Sequence, residues 1–266
     1  MKIKEFDKDL VHELYINNGY SLSKISKILE TTSITLRKWM VNNGFNIDSK
    51  RKFKNDEIEL STKQEEILFG GLLGDAHLTS SFTNPQIQYI SSQLEHVEYF
   101  QSFFKEYSVN ECIGGPKKSE YFDSRTNKIY YSYKFRSIQS TGLLKYRNEW
   151  YDNKIKKIPK DFKLTKLMCL IWYLGDGSIQ NDHNKRRTEL IKLSTNNFYY
   201  DDVNNNLIPQ LKDFDAYIGF NESKQPVIRI PRKKIVDFLR FIGPCPIKCY
   251  DYKWIVYPYK YKKYEK

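Results

Sequence analysis

Two apolar stretches that each end in Gly-Asp constrain this chain more than any other feature of its sequence. The first is Leu68–Ala76 (LFGGLLGDA) and the second is Leu170–Gly177 (LIWYLGDG). Both runs predict helices, which would end at Asp75 and Asp176. A helix C-terminus already carries unpaired carbonyl oxygens and partial negative charge, so a carboxylate there is unfavourable without a nearby cation. A single copy is typical of a core helix with an acidic cap, whereas two copies favour a shared metal site.

The segments that follow the two motifs predict the same order of elements. After each aspartate, two strand patterns precede a helix, two more follow it, and another helix closes the half. Asp75 and Asp176 occupy the same place in this order. We therefore expect an α+β fold of two αββαββα halves related by a pseudo-two-fold axis. Residues 61–155 would form the first half and residues 156–258 the second.

Gly70 and Gly74 predict that the two motif helices pack closely. They are four residues apart, so they lie on one face of the first motif helix. Each glycine weakens an isolated helix by about 1 kcal/mol relative to alanine. Close approach of another helix is the usual reason for such a pair, and the second motif helix is the natural partner.

The N-terminal segment, residues 1–46, predicts a separate all-α unit. Three short helices alternate with turns, and the last two helices are joined by the three-residue turn Thr31–Ser33. This spacing resembles a helix-turn-helix, in which Thr35, Arg37 and Lys38 would contact DNA. A three-helix cap that makes no DNA contact is the alternative.

Charge and composition favour a nucleic-acid partner. The net charge is +12, the pI is about 9.3, and 21 of the 266 residues are tyrosine. Cationic side chains displace the counterions condensed on a phosphate backbone, so this excess suits a polyanion. A basic linker, residues 47–60, places Arg51, Lys52 and Lys54 to follow a phosphate backbone, although a solvated linker is the alternative. A basic tail, residues 259–266, ends the sequence.

Other functional classes receive no support from the sequence. No apolar run reaches the roughly 18 residues of a membrane span, and the N-terminus lacks the apolar core of a secretory signal. Four cysteines are present, but no second pair of Cys or His ligands accompanies them, which argues against a zinc site. Nothing demands an oxidising compartment. We expect a protein of the cytoplasm or of an organelle matrix that is neither secreted nor membrane-bound.

The two motifs resemble the signature helices of the LAGLIDADG homing endonucleases, in the branch that carries both motifs on one chain. The similarity covers about residues 60–258, and the pair of motifs is far more specific than either alone. The resemblance implies a saddle of two four-stranded antiparallel sheets in the DNA major groove, with the two acids over the scissile phosphates. Ile171 departs from the small residue that the family often has there, and the N-terminal helical unit is outside the family core.

The resemblance also implies a metal site. Asp75 and Asp176 match the metal-binding acids, and the backbone carbonyls of Gly74 and Gly175 match the carbonyl ligands just before them. Oxygen ligands of this kind, together with DNA phosphate, suit Mg²⁺, with Mn²⁺ as a substitute. Two aspartates close together would repel each other without a cation.

Four further residues are candidates for catalysis by the same resemblance. Lys156 and Lys253 resemble the basic residues that flank the family's active sites, where they would stabilise the phosphate or polarise water. Ordinary surface lysines that touch the DNA backbone are the alternative. Gln93 and Asn196 are candidates for positioning water.

Alternating polar and apolar residues in the strands supply candidate base-reading contacts. One strand face would meet the core and the other the DNA groove, where Arg, Lys and Gln read base edges. A solvated sheet face is the alternative, against which the net charge argues. The candidates are Gln86, Gln88, Lys134, Arg136, Lys192 and Arg229, together with the loop residues Lys185, Arg186 and Arg187.

These expectations give one leading function and two alternatives. The leading function is that of a monomeric, site-specific endonuclease that cuts both strands of DNA at a long asymmetric site with divalent metal, leaving 5′-phosphates and short 3′ extensions as the family does. The alternatives are an intron RNA maturase, whose partner is its host intron RNA, and a DNA-binding regulator that does not cleave. Retention of Asp75 and Asp176 argues against the regulator, because a pure binder has no need of them.

Overall fold

The structure is a computed structural model that describes residues 5–17, 20, 22–45, 58–79, 84–180 and 189–256. The chain forms two compact units, Met1–Asp56 and Glu57–Lys266, and the boundary falls within the expected linker. Several expected DNA contacts lie outside the described residues, namely Arg51, Lys52, Lys54, Lys185, Arg186 and Arg187, and so does the basic tail. Among the described residues, no helix has the length and apolar character needed to cross a bilayer.

The N-terminal unit consists of three short helices around a core of their own. The helices are α1 (Lys8–His12), which continues as a π-helical turn (Glu13–Asn17), α2 (Leu22–Ile28) and α3 (Ser33–Asn42). The side chain of Thr32 caps α3, and the hydroxyls of Ser26 and Ser33 lie 3.0 Å apart across the turn between α2 and α3. The core contains Val11, Tyr15, Ile25, Leu36, Trp39 and Met40. The helices form where the sequence predicts them, and their assignment as a DNA-binding helix-turn-helix stays a prediction.

The second unit repeats one order of elements. The first half contains α4 (Thr62–Leu73), β1 (His77–Leu78), β2 (Ile87–Ser91), α5 (Leu94–Ser102), β3 (Lys117–Asp123), β4 (Lys128–Arg136) and α6 (Leu144–Trp150). A short hairpin follows, made of β5 (Tyr151–Asp152) and β6 (Ile155–Lys156). The second half contains α7 (Lys166–Asp176), β7 (Gly177–Gln180), β8 (Leu190–Ser194), α8 (Tyr200–Asp202), which continues through π- and 3-10-helical turns to Phe214, β9 (Tyr217–Phe220), β10 (Pro226–Pro231) and α9 (Ile235–Ile242). A C-terminal 3-10 helix, Lys248–Trp254, completes the unit.

Each half folds its strands into one four-stranded antiparallel sheet. The strand orders, β1-β2-β4-β3 and β7-β8-β10-β9, are equivalent, which confirms the expected α+β fold with a pseudo-two-fold repeat. Burial alternates along β2 and β8, so one face of each sheet is in the core and the other is open. The cross-strand register aligns one polar row on each open face: His77, Gln88 and Arg136 in the first sheet, and Ser178, Lys192 and Arg229 in the second.

The helices α4 and α7 pack against each other at the centre of this unit. A Cβ atom at Gly70 would lie 2.7 Å from the carbonyl oxygen of Met168 and 2.8 Å from Cβ of Ile171. The missing side chain of Gly70 therefore makes the space that Ile171 fills. Ile171 does not keep the helices apart, because a small residue is needed on only one side of the contact.

Candidate active site

Asp75 and Asp176 meet where α4 and α7 end. Oδ2 of Asp75 lies 3.1 Å from the position that a Cβ would take at Gly175, and Oδ2 of Asp176 lies 3.7 Å from the same position at Gly74. Each carboxylate therefore packs against the glycine that precedes the other aspartate. The two acids approach each other in this way because neither glycine presents a side chain.

Burial disfavours ionisation of both acids, and at Asp176 the charge of Asp75 adds to this effect. Burial raises the pKa of Asp75, while burial and the charge of Asp75 together raise the pKa of Asp176 to about 6. The positive charges of Lys156 and Lys253 lower the pKa of both acids, but they do not outweigh burial. A cation between the carboxylates would relieve both effects, so the pair is electrostatically prepared to bind one.

A buried lysine caps the C-terminal end of α4. Nζ of Lys156 donates to the carbonyl oxygens of Leu72, Gly74 and Ala76 at 2.7, 2.9 and 2.8 Å. Leu72 and Gly74 lie at the end of the helix, where the backbone leaves acceptors unpaired, and Ala76 follows three residues after the last helical residue. The lysine satisfies them and offsets the negative end of the helix dipole. Its 8% exposure shows that the surface-lysine interpretation is wrong for Lys156.

Lys253 caps α7 in the corresponding way. Its Nζ donates to the carbonyl oxygen of Leu174 at 2.6 Å and, over longer distances of 3.3 and 3.4 Å, to those of Tyr173 and Gly175. The hydroxyl of Tyr173 donates to the carbonyl oxygen of Lys253 at 2.6 Å. Burial lowers the pKa of Lys156 and of Lys253 to about 8, so both remain mainly protonated at neutral pH. Lys253 is also buried, and the surface-lysine interpretation is wrong here too.

The donor set fits a hard divalent cation that is held jointly with another ligand. Within the part of the chain that the structure describes, no three His, Cys, Asp or Glu side chains converge on one point. Asp75 and Asp176 are therefore the carboxylates that could bind a cation at this site. The carbonyls of Gly74 and Gly175 each keep a second lone pair beside their hydrogen bond to lysine. Such oxygen donors suit a cation that completes its shell with phosphate and water. The assignment of these four groups as metal ligands stays a prediction.

Gln93 and Asn196 occupy similar exposed positions in the loops after β2 and β8. The backbone N–H of Gln93 donates to Oγ of Ser91 at 3.2 Å. The side-chain oxygen of Asn196 accepts a weak hydrogen bond from Asn221 at 3.4 Å. Their exposure is compatible with contacts to water or DNA, and their role in positioning water stays a prediction.

Most of the expected base-reading residues lie on the open faces of the two sheets. Five are partly exposed, namely Gln88, Lys134, Arg136, Lys192 and Arg229. Arg136 pairs with Glu111 at 2.5 Å, and Arg229 donates to the carbonyl oxygen of Phe220 at 3.0 Å. The side chain of Arg229 crosses over Gly219, where a Cβ atom would overlap with Nε of the arginine. Both arginines are therefore held in place by protein contacts.

The expectation that Gln86 contacts DNA is wrong, because its side chain is buried. It is only 8% exposed, and its Nε2 donates to the carbonyl oxygen of Ser137 at 2.6 Å. Its Oε1 accepts from Nε2 of Gln88 at 3.0 Å, so Gln86 orients the amide of its neighbour. The alternation of residues along β2 does not reveal this role, because Ser137 follows the end of β4 and is brought close only by the fold.

Sequence reasoning missed a basic cleft beside Lys156. The cleft has a volume of about 770 Å³ and is lined by His77, Arg147, Lys154, Lys156 and Asn196, with other residues that include no Asp or Glu. Its basic lining suits an anionic ligand. His77 could have been found from the sequence, because it follows Asp75 by two positions. Arg147 and Lys154 are far from both motifs in the sequence, and only the fold brings them to this cleft.

The sequence profile of the LAGLIDADG DNA endonuclease family matches residues 65–238. The chain is 25% identical over 260 residues to an uncharacterized protein of Methanocaldococcus jannaschii, covering 92% of this chain and 98% of that one. It is 25% identical over 225 residues to the probable intron-encoded endonuclease 1 of Wickerhamomyces canadensis, covering 82% and 94%. It is 26% identical over 136 residues to the DNA endonuclease I-ChuI of Chlamydomonas applanata, covering 46% and 61%.

A solved structure shares the fold. The homing endonuclease I-WcaI bound to its DNA recognition sequence matches with a TM-score of 0.68 and 24% identity, over 80% of this chain and 94% of that one. The residues that match the family profile include all of α7, most of α4 and both aspartates. The resemblance inferred from the sequence and the expectation of a DNA-cleaving hydrolase are confirmed. The chain therefore belongs to the LAGLIDADG DNA endonuclease family.

Proposed function

We propose that this protein is a monomeric endonuclease that cuts both strands of a DNA duplex at one long asymmetric site. The observation that carries the proposal is the pair of aspartates, Asp75 and Asp176, each packed against the glycine before the other. Each aspartate ends a helix that a buried lysine caps. A pseudo-two-fold pair of such centres matches a duplex, whose two strands are themselves related by two-fold symmetry. The paired acids also argue against a regulator that does not cleave.

Enzymes of this family generally use divalent metal ions, and we propose Mg²⁺, with Mn²⁺ as a substitute. When bound, the ion neutralises charge on the phosphate and activates water. Asp75 and Asp176 would hold it, with the carbonyls of Gly74 and Gly175. An oxygen-only donor set is the reason to prefer these ions to zinc.

The two lysines would act through their charge. All three N–H groups of Lys156 already donate to backbone carbonyls, so direct donation to phosphate would require one of those bonds to break. Both ammonium groups lie close enough to the aspartates to affect their pKa values, and they would stabilise negative charge that develops on a phosphate there. Gln93 and Asn196, in the loops after β2 and β8, would position water.

The open faces of the two sheets would bind the DNA and contact its base edges. Their polar rows differ between the halves, with glutamine and arginine across the first sheet and lysine and arginine across the second. Different side chains read different base edges, which supports an asymmetric target. The basic cleft beside Lys156 would take a phosphate of the same duplex.

The N-terminal unit would add a second DNA contact. Ile34 and Val41 of α3 are 71% and 57% exposed, and Arg37 and Lys38 are exposed between them on the same face. Apolar side chains contact thymine methyl groups, and cationic ones contact phosphates or guanine. Thr35 is only partly exposed, and its hydroxyl lies 2.9 Å from that of Thr32, the residue that caps α3. The match to the M. jannaschii protein is longer than the second unit alone, so it includes part of this unit.

Cleavage of the gene's own insertion-site DNA, with any intron removed, tests the proposal. The intact protein should cut both strands with Mg²⁺ and stop when a chelator is added. Asp75→Asn and Asp176→Asn should bind the site but not cut it. Failure of the intact protein to cut, or cutting by either variant at the normal rate, would overturn the proposal.

Host intron RNA is a second candidate partner. The only observation that favours it is the name of the W. canadensis relative, which describes that protein as probably intron-encoded. Filter binding of the full chain to host intron RNA, with an unrelated structured RNA of equal length as control, would test it. Equal affinity for the two RNAs would remove this candidate.

A further inference from the structure

The two buried lysines lie on segments outside the motif helices. Lys156 ends β6, in the hairpin that follows α6, and Lys253 lies in the C-terminal 3-10 helix. Neither segment is continuous with the helix that its lysine caps. The contacts that hold these two segments therefore decide where the positive charges lie.

The first half of the unit holds the segment that carries Lys253. Glu95, in the first turn of α5, accepts the backbone N–H groups of Lys248 and Cys249 at 2.9 and 2.8 Å, one on each carboxylate oxygen. These amides begin the C-terminal 3-10 helix, where the helix itself offers no acceptor. Glu95 thus caps this helix from another element through two charge-assisted hydrogen bonds.

A second contact comes from the residue that follows Glu95. The hydroxyl of Tyr250, in the same 3-10 helix, lies 3.2 Å from Nδ1 of His96 and 3.4 Å from Oγ of Ser91. The rings of His96 and Tyr250 pack edge to face with centroids 4.8 Å apart. His96 is only 1% exposed, so this contact is part of the core. The helix that delivers Lys253 to α7 is therefore fixed at two points by the first half.

The second half holds the segment that carries Lys156 in the same manner. Oδ2 of Asp202, in α8, accepts the backbone N–H of Ile158 at 3.1 Å, two residues after Lys156. Phe198 forms a parallel bridge with Lys156, and Nζ of Lys156 lies 5.9 Å from the centre of its ring. The helices α5 and α8 follow the second strand of their respective sheets, so Glu95 and Asp202 lie on equivalent elements.

We propose that Glu95 and Asp202 are positioning residues for cleavage, each fixing the lysine that caps the motif helix of the opposite half. Glu95 acts on Lys253 at the end of α7, and Asp202 acts on Lys156 at the end of α4. Each centre thus depends in part on a contact from the opposite half. The proposal rests on the proposed function in one respect, that the two lysines serve cleavage.

Hydrogen exchange of the full chain tests the placement without any cleavage. Glu95→Ala should speed amide exchange across residues 248–254, and Asp202→Ala should speed it across residues 156–158. Glu98→Ala and Asp201→Ala are the matched controls, since both are exposed acids on the same helices, and they should leave these segments unchanged. Unchanged exchange in Glu95→Ala and Asp202→Ala would overturn the proposal, whatever the cleavage results.

Cleavage with each DNA strand labelled separately tests the consequence. Glu95→Ala and Lys253→Met should slow cleavage of the same strand, each by about tenfold or more. Asp202→Ala and Lys156→Met should slow cleavage of the other strand to the same extent. Glu95→Gln keeps one acceptor oxygen, so its cleavage rate should lie between those of Glu95→Ala and the parent protein. Adding Glu95→Ala to Lys253→Met should cause no further loss, because the first acts through the second.

Two results of these cleavage experiments have different consequences for Glu95 and Lys253. Equal slowing of both strands by Glu95→Ala, or fully additive effects with Lys253→Met, would show a general loss of structure and overturn the positioning role. If the exchange results are as expected but Lys253→Met cuts both strands at the normal rate, the placement stands and the proposed role of Lys253 in cleavage fails.

Discussion

Gly70→Ala should destabilise the protein, although alanine is the better helix former. The new Cβ would lie 2.7 Å from the carbonyl oxygen and 2.9 Å from Cα of Met168, and 2.8 Å from Cβ of Ile171. The Met168 atoms are backbone, so the overlap is relieved only if α4 and α7 separate by several tenths of an ångström. Overpacking of this kind costs about 3 kcal/mol at the upper end of its usual range. The gain in helix propensity is about 1 kcal/mol, so we expect a net loss of about 2 kcal/mol.

Urea-induced and thermal unfolding of the full chain both measure this loss. For a unit of this size, the expected change corresponds to a fall in Tm of about 4–8 °C. Gly114→Ala is the control, because a Cβ there would meet nothing within 4 Å, and it should be neutral or slightly stabilising. A Gly70→Ala protein as stable as the parent would show that helix propensity outweighs packing at this contact, and the close approach of α4 and α7 would be refuted.

Three further perturbations have defined outcomes. Asp176→Asn should stabilise the metal-free protein at pH 7.5 by about 1–2 kcal/mol, because the pKa of Asp176 is about 6 in the folded state and lower in the unfolded state. This gain in stability should vanish as the pH falls through 6 towards 4, and also when Mg²⁺ is added. A gain that stays the same under these conditions would refute the prediction. His96→Gln should reduce the dependence of stability on pH in acid. Burial lowers the pKa of His96 to about 3, so protonation of this residue in the unfolded state destabilises the fold by about 1.4 kcal/mol for each pH unit below 6.5. Parallel profiles of stability against pH for parent and variant would contradict the lowered pKa of His96. Removing residues 1–46 should weaken DNA binding and shorten the footprint while strand cleavage at saturating protein is retained; an unchanged affinity and footprint would show that the N-terminal unit is not a DNA reader.

Local patterns in the sequence determined the architecture of this protein. Helical periodicity located α4 and α7, and the change to strand alternation after each Gly-Asp revealed the repeated order of elements. The same two motifs identified Asp75 and Asp176 and the family. These features were readable because each depends on residues within a few positions of one another.

Only the tertiary structure decided how the site is assembled. Lys156 donates to carbonyl oxygens 84, 82 and 80 positions away, and Lys253 to carbonyls about as distant, so no local pattern distinguishes these buried caps from the other lysines of a basic chain. The glycine–isoleucine contact between α4 and α7 and the use of Gln86 inside the first sheet likewise depend on partners that the fold brings together. The sequence by itself identified the two acids that meet at the ends of α4 and α7. The packing of the two halves decided which cations face those acids, because hydrogen-bond partners far apart in the chain are chosen by the whole fold.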